Sequence, residues 1–270
     1  MITVLGARGF IGSHLTRHLQ AAGIPFQAPE RNESLRGRDL GAVIDCAGIT
    51  ADFRTRPYDT VDAHVCRLVD LARHCTFRSF VYLSSTRLYK DHGPEKAREA
   101  DDISVNPVGA GGLYNLSKAM GEAVVHTFGE RGRVARLSNV YGPGSEAHNF
   151  LASIITDALS TGEIVLRTSL ESAKDYVNVA DVVRLLPRIA AEGREHTYNV
   201  ASGVNVTNGE ITAAIARLTG CRVSVKPDAE TWTYPEIDIT RARTELGFAP
   251  SSLLDDLSAV VESYRQELRR

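Results

Sequence analysis

The chain is poor in cysteine, in net charge and in long apolar runs, and each shortage removes a class of function. Its four cysteines, Cys46, Cys66, Cys75 and Cys221, form no C-x-x-C pair in 270 residues. That spacing gives no support to a zinc site or a dithiol redox motif, and buried, reduced thiols in a cytoplasmic protein are expected. The 31 basic and 33 acidic side chains leave a net charge of -2. Nucleic-acid binding usually needs a basic field, so no nucleic-acid partner is expected. No apolar run approaches the roughly 20 residues that span a bilayer, and no membrane partner is expected. The N-terminus enters a predicted strand without a charged n-region or cleavage site, so no secretory leader is expected. His14 and His18 share a helix face, but no acidic residue accompanies them at metalloprotease spacing, and no metal is expected. Repeats, low-complexity tracts and a clear linker are also lacking.

What is present is an ordinary globular composition, 43% hydrophobic and 24% charged, enough for one large domain or two intimate ones. Residues 2–5 read as a buried strand ending at Gly6. Ile11, Leu15, Leu19 and Ala22 have helical spacing, and Gly23 stops that helix. Strands are predicted at 24–28, 42–46, 80–85 and 133–137, and helices from about Val61 to His74 and from Tyr114 to about Phe128. This alternation predicts an α/β fold: a Rossmann-type, doubly wound parallel sheet with a small C-terminal substrate-binding lobe. Residues 1–149 are expected to form the dinucleotide-binding domain, with parts of 176–200 returning to it. Residues 150–270 would be mainly the substrate lobe, interleaved with the first. Binding in such sheets belongs at the C-terminal strand ends, where Gly6, Gly48, Ser85 and Asn139 fall.

Gly6-x-x-Gly9-x-x-Gly12 follows a strand and opens a helix. The first glycine permits a tight turn, the second lets backbone approach a pyrophosphate, and the third lets helix and strand pack closely. Alone, this pattern also occurs as a plain glycine-rich turn. Glu30, about 20 positions on, is placed for ribose hydroxyls and favours NAD. Arg31 beside it, or Arg8 inside the loop, could hold a 2′-phosphate, which leaves NADP as the alternative. Tyr114 and Lys118 lie one helical turn apart, so phenol and ammonium share a face. A tyrosine beside a fixed positive charge can lose its proton near neutral pH. Ser85, at the end of the preceding core strand, could hold a substrate oxygen while the tyrosine moves the proton.

Four segments occur in order: Gly6-Ala-Arg-Gly-Phe-Ile-Gly12, Tyr82-Leu-Ser-Ser-Thr-Arg-Leu-Tyr89, Tyr114-x-x-x-Lys118 and Ala135-Arg-Leu-Ser-Asn-Val-Tyr-Gly-Pro143. With Lys174-Asp-Tyr-Val-Asn-Val-Ala-Asp181, Tyr198-Asn-Val-Ala-Ser-Gly203 and Leu246-Gly-Phe-x-Pro250, they cover nearly the whole chain. The set closely resembles the extended short-chain dehydrogenases/reductases, the nucleotide-sugar epimerase and dehydratase group. The resemblance implies that Tyr114 is the acid/base and Ser85 the catalytic hydroxyl. Lys118 would hold the nicotinamide ribose and depress the tyrosine pKa from about 10. Cofactor contacts are expected from Gly6, Arg8, Gly9, Phe10, Ile11, Gly12, Glu30, Arg31, Cys46, Ala47, Gly48 and Leu137, besides Tyr114 and Lys118. Substrate contacts are expected from Ser85, Thr86, Arg87, Asn139, Asn149, Phe150 and Lys174. A homodimer paired through the Val61 and Tyr114 helices is also implied.

Some features depart from that pattern. Relatives that eliminate water from the sugar carry Asp-Glu directly after the catalytic hydroxyl residue, whereas Thr86-Arg87 stands here. The stretch between the second strand and Ala42 is short, which points to loss of the usual third strand and its helix. Tyr234-Pro235-Glu236 replaces the usual arginine before Asp238. His64 lies near where relatives place an asparagine and is read as a helix-surface histidine. The charged run from Glu95 to Asp102 is read as a flexible loop that could cover the site. The expectation is therefore an NAD(P)-dependent epimerase or keto-sugar reductase acting on a nucleotide-activated sugar. A dehydratase, or a non-catalytic NAD(P)-binding regulator, is the alternative.

Overall fold

The computed structural model describes all residues except Ala51, Pro94, Ala110, 145–148 and Arg270. The chain runs β1 (Ile2–Leu5), α1 (Phe10–Ala21), β2 (Phe26–Gln27), β3 (Ala42–Asp45), α2 (Pro57–Val61), α3 (Arg67–His74), β4 (Ser79–Ser85), α4 (Gly112–His126), β5 (Gly132–Leu137) and β6 (Asn139–Tyr141). It continues through α5 (Phe150–Ser160), β7 (Glu163–Thr168), β8 (Ala173–Asn178), α6 (Val179–Glu192), β9 (Thr197–Val200), β10 (Asn205–Thr207), α7 (Asn208–Thr219), β11 (Arg222–Glu230), α8 (Thr240–Leu246) and α9 (Leu253–Glu267).

Six strands form one parallel sheet in the order β2-β1-β3-β4-β5-β9. Its inner strands are buried, and β3 and β4 carry short apolar runs at 42–44 and 80–83. On one face, Leu15 and Leu19 of α1 and Val182, Leu186 and Ile189 of α6 pack with the sheet. On the other, Leu68, Leu71 and Val125 meet an aromatic cluster of Phe77, Phe80 and Phe128. The chain leaves β1 towards β2 and returns on the opposite side as β3, so a crevice opens beyond the ends of β1 and β3. Register pairs Leu5 with Asp45, and Ser85 with Leu137, so these ends line one edge.

A second core, built from Ile154, Ile155, Ile164, Leu166, Ile211, Ile215, Leu257 and Val261 among others, lies beneath two small sheets, β10-β8-β6 and β11-β7. The chain returns from it to the main sheet through α6 and β9, and α8 packs against both. No helix among the described residues is long and apolar enough to cross a membrane.

No strand stands between β2 and β3 among the described residues, so β2 is the sheet edge, as the short sequence there implied. Other expectations need correction. The predicted Val61 helix starts earlier, with Pro57 in its first turn, and widens into a π-helical turn at Asp62–Cys66. That extra residue in the turn rotates His64 inward: it is fully buried, not a surface histidine. The 95–102 run is strapped down rather than loose. Ala97 N–H donates to Glu236 O at 2.8 Å, and Asp238 N–H donates to Ala97 O at 2.9 Å. Glu99 accepts the Asn199 N–H at 2.9 Å. The cysteines are all free, but only Cys221 is buried; Cys66 is exposed on the turn that buries His64.

Candidate active site

The glycine loop is built by close backbone approach. Gly6 has φ +74, and a Cβ on it would meet Ala47 N at 2.6 Å, so the β1 exit lies directly on the β3 exit. A Cβ on Gly12 would fall on the Gly6 carbonyl. Gly9 is different: its Cβ would meet only Gly6 O, at 3.4 Å, which leaves its outer face open. Gly9 N-caps α1 without a side-chain hydrogen bond. The first N–H groups of that 12-residue helix are therefore left for an anion. Phe10 and Ile11 are half-buried and pack against the core. Glu30 and Arg8 are both exposed and form an ion pair across the crevice mouth; Arg31 is exposed as well. With Arg8 engaged by Glu30, the carboxylate governs this end, and that arrangement suits ribose hydroxyls better than a 2′-phosphate. The exposed Gly48 completes the crevice wall: a Cβ there would meet His64 Nε2 at 3.3 Å and Lys118 Nζ at 3.6 Å. Cys46 and Ala47 are half-buried, and burial raises the Cys46 thiol pKa, which keeps it inert. These residues fit a dinucleotide.

At the end of β4, the Ser85 hydroxyl lies near enough to the Tyr114 side chain to lower its pKa. Its Oγ also accepts the Arg87 N–H at 3.2 Å. Tyr114 is 3% exposed, with its ring 5.0 Å from Phe53 and 5.6 Å from His64. Burial raises its pKa, while the nearby Ser85 hydroxyl and then the Arg87 charge lower it. Lys118, one turn along α4, donates to Leu83 O at 2.8 Å and lies 4.9 Å from the centre of the Tyr82 ring. Burial pushes its pKa down to about 8, against the opposing pull of Asp45. The sequence assigned the tyrosine's neighbouring positive charge to Lys118. In the fold, that ammonium is held at the β4 carbonyl, and Arg87 is the cation that acts on Tyr114.

His64 binds two elements together. Its Nε2 accepts the Ile49 N–H at 3.2 Å, so Nδ1 carries the proton and donates to Ser117 Oγ at 2.8 Å. Ser117 in turn donates to Tyr114 O at 2.8 Å. Burial first, then the Lys118 and Arg67 charges, push the imidazole pKa down to about 3, so the ring stays neutral. The β3 exit loop is thereby locked to the turn of α4 that carries the tyrosine.

A second cluster is built from α5, β8 and the segment after β11. Lys174 lies 5.6 Å from the ring centres of Phe150 and Trp232 and 5.9 Å from that of Tyr234. Burial lowers its pKa, and the nearby Arg87 lowers it further. Asn139 donates to Asp175 O at 2.8 Å, tying β6 to β8. Asn149 caps α5 by accepting the Leu151 N–H at 3.1 Å, which sets Phe150 against Lys174. Thr86 is buried in a 3-10 turn (Thr86–Tyr89), and Leu137 is buried in the core at the end of β5.

This geometry is of a recognisable kind. A family model, that of the NAD dependent epimerase/dehydratase family, matches residues 2–201. The chain belongs to that family. The dTDP-4-dehydro-6-deoxy-D-allose reductase of a Streptomyces species is 27% identical, covering 99% of this chain and 97% of the relative. The UDP-glucose 4-epimerase of Mycolicibacterium smegmatis is also 27% identical, covering 98% of each. These alignments run over 316 and 318 positions, more than the 270 residues here, so the relatives carry insertions that this chain lacks. Among solved structures, MoeE5 in complex with UDP-glucose and NAD has a TM-score of 0.81 at 23% identity over 99% of each chain, a likeness of fold.

Within this member of the epimerase/dehydratase family, the structure brings the glycine loop, Gly48, Ser85, Tyr114 and Lys118 to one edge of the sheet. It separates off the Asn139 and Asn149 side chains, which hold backbone. Sequence reasoning missed Phe53, His64, Trp232 and Tyr234 as neighbours of the site. Trp232 is the chain's single tryptophan, and its closeness to Tyr234 was the available signal. Nothing local in the sequence marks the π-helical turn that aims His64.

Proposed function

We propose that this protein catalyses NAD-dependent redox exchange at a hydroxyl-bearing carbon of a nucleotide-activated sugar, as an epimerase or a keto-sugar reductase. The observation that carries this reading is the placement of Ser85, at the β4 end, beside Tyr114, one helical turn from Lys118 and next to the glycine loop. NAD, when bound, supplies the hydride acceptor and donor. Ser85 orients the reacting sugar oxygen, and Tyr114 Oη takes up or returns its proton. Lys118, at Gly48, holds the nicotinamide ribose. Lys174 with its aromatic neighbours receives the diphosphate. No carboxylate follows Ser85, since Thr86 and Arg87 stand there, and this favours redox exchange over elimination of water. We also assign a homodimer paired through α4. Leu113, Leu116 and Met120 are exposed at helical spacing on that helix, and Tyr58 is exposed on the neighbouring α2.

The experiment is mass spectrometry of ligands released from the purified protein, followed by assay on UDP-, dTDP- and GDP-sugars with Tyr114→Phe as the control. A released or bound NAD is expected, with activity falling about 10²- to 10⁴-fold in the variant. Full activity in Tyr114→Phe, or no dinucleotide binding, would refute the assignment.

A further inference from the structure

We propose that Arg67 is a positioning residue for the dinucleotide: by occupying the Asp45 carboxylate, it keeps the Lys118 ammonium out of an ion pair and facing the crevice. The inference rests on the reading above in which Lys118 holds the nicotinamide ribose, and it names the residue that makes this possible.

The carboxylate comes first. Asp45 ends β3, and its side chain is wholly buried. Register places it beside Tyr82 of β4. Paired residues of neighbouring strands point to the same face of a sheet, and the Lys118 ammonium lies 4.9 Å from the centre of that Tyr82 ring. Carboxylate and ammonium therefore stand over one face. Lys118 nevertheless forms no ion pair among the described residues, and it donates to Leu83 O at 2.8 Å. The carboxylate is taken by Arg67, whose Nη2 contacts both of its oxygens and reaches Ala47 O at 3.4 Å. Asp45 Oδ1 also accepts the Ala47 N–H at 3.1 Å. Arg67 Nε is buried with no hydrogen-bond partner among the described residues, a cost that the carboxylate contact has to offset.

The helix explains how Arg67 arrives there. It is the first residue of α3, directly after the π-helical turn Asp62–Cys66. His64 within that turn accepts the Ile49 N–H. The widened turn thus supplies both side chains that hold the β3 exit, Arg67 at Asp45 and Ala47, and His64 at Ile49. Between them lies Gly48, where a Cβ would meet Lys118 Nζ at 3.6 Å.

Electrostatics decides which cation Asp45 takes. A carboxylate this deep needs one. A guanidinium is more weakly hydrated than an ammonium and fits a carboxylate better, so Arg67 is the favoured partner. Lys118 then keeps N–H donors for an incoming ribose hydroxyl. The other groups facing Lys118 are accounted for. Glu122, one turn further along α4, is paired with Arg136. Burial keeps His64 neutral, with its pKa pushed down to about 3. Burial also raises the Tyr82 and Tyr114 phenols, which stay neutral. Lys118 is pushed down to about 8 by burial, with Asp45 pulling it up and Arg67 pushing it down. It is therefore the group among these that titrates close above neutral pH.

The test is calorimetric titration of NAD into the dinucleotide-free protein from about pH 6.5 to 9.5. Wild-type affinity is expected to fall as pH rises through about 8, where Lys118 loses its proton. In Arg67→Met the ammonium turns to Asp45. NAD should then bind about tenfold or more weakly at pH 7, and the fall should move up by about one pH unit or more. Asp45→Asn leaves the Arg67 charge beside the lysine and should move the fall to lower pH. Asp45→Asn/Arg67→Met removes both charges and should return affinity and midpoint close to wild type. Wild-type affinity and midpoint in Arg67→Met would overturn the proposal. So would a double variant as weak as Arg67→Met, because Arg67 would then only shape the β3 exit. If Arg67→Met does not fold, an unmoved midpoint in Asp45→Asn overturns it, as does a wild-type affinity that is flat across the pH range. A wild type that binds no NAD at any pH would remove the dinucleotide reading itself, and this inference with it.

Discussion

Replacing Lys118 by methionine should make the cofactor-free protein more stable while disabling it. The ammonium is 5% exposed, and burial pushes its pKa from 10.5 to about 8. Each tenfold change in acidity is worth about 1.4 kcal/mol, so holding the charged form in the fold costs at most about 3 kcal/mol at pH 7. Methionine has similar length and no charge, but it leaves Leu83 O without its donor, a loss of about 1 kcal/mol. The net gain of about 2 kcal/mol corresponds to a rise of roughly 4–8 °C in Tm for a chain of this size. The pH dependence has a definite sign. Because the folded pKa lies below the unfolded one, the unfolded chain binds more protons between about pH 8 and 10.5, and wild-type stability gains from this group as pH rises through that window. The advantage of Lys118→Met should therefore be largest near pH 7 and shrink above pH 8. Thermal melts of both proteins without dinucleotide, from pH 6.5 to 9.5, measure it directly. A variant that melts no higher than wild type at pH 7, with curves parallel across the range, would refute the reasoning. The stability given up at Lys118 is of the kind functional sites commonly carry.

Three further outcomes follow from the residues that frame the site. Arg136 of β5 and Glu122 of α4 form a buried ion pair at 2.7 Å, and Arg136 also donates to Tyr89 Oη at 2.6 Å. Glu122→Leu leaves a buried guanidinium without its carboxylate and should cost about 3–5 kcal/mol in denaturant melts, with much of the loss recovered in Glu122→Leu/Arg136→Met; strictly additive losses would count against coupling. His64→Ala should weaken NAD binding about tenfold or more, because Ile49 N–H and Ser117 Oγ lose their common partner. Since the His64 pKa is pushed down to about 3, the unfolded state binds its proton first on acidification. Wild type should accordingly lose stability faster than His64→Asn as pH falls from 6.5 towards 4, and identical acid profiles would contradict a buried neutral imidazole.

The alternation of strands and helices was legible in the sequence because it depends on short-range periodicity. Apolar runs at 42–44 and 80–83, and the helical spacing of Ile11, Leu15 and Leu19, report burial directly. The glycine loop was legible for a similar reason: Gly12 is required by contact with Gly6 inside one strand-turn-helix unit, although Gly6 itself is fixed by Ala47 at the β3 exit. The elements that escaped prediction depend on distant partners. β6 and β10 are three residues each and exist because both pair with β8. β11 is mostly exposed and charged, and it is a strand because β7 offers an edge. The 95–102 run looked loose because its charges are real, but its order comes from Glu236 and Asp238 far along the chain.

By itself, then, the sequence determined the alternation of strands and helices and the dinucleotide loop, and marked Ser85, Tyr114 and Lys118 as candidates, since each is written in neighbours a few residues apart. Tertiary structure decided the electrostatics. Tyr114 and Lys118 look like a tyrosine and its activating cation, yet burial moves both pKa values towards their neutral forms, and Lys118 is turned to a carbonyl of β4. Arg87 takes the place beside the tyrosine because a 3-10 turn and a left-handed glycine bring it there. His64 turns inward because one helical turn is wound wider than its neighbours. Burial and long-range contact set charge, and neither can be read from spacing.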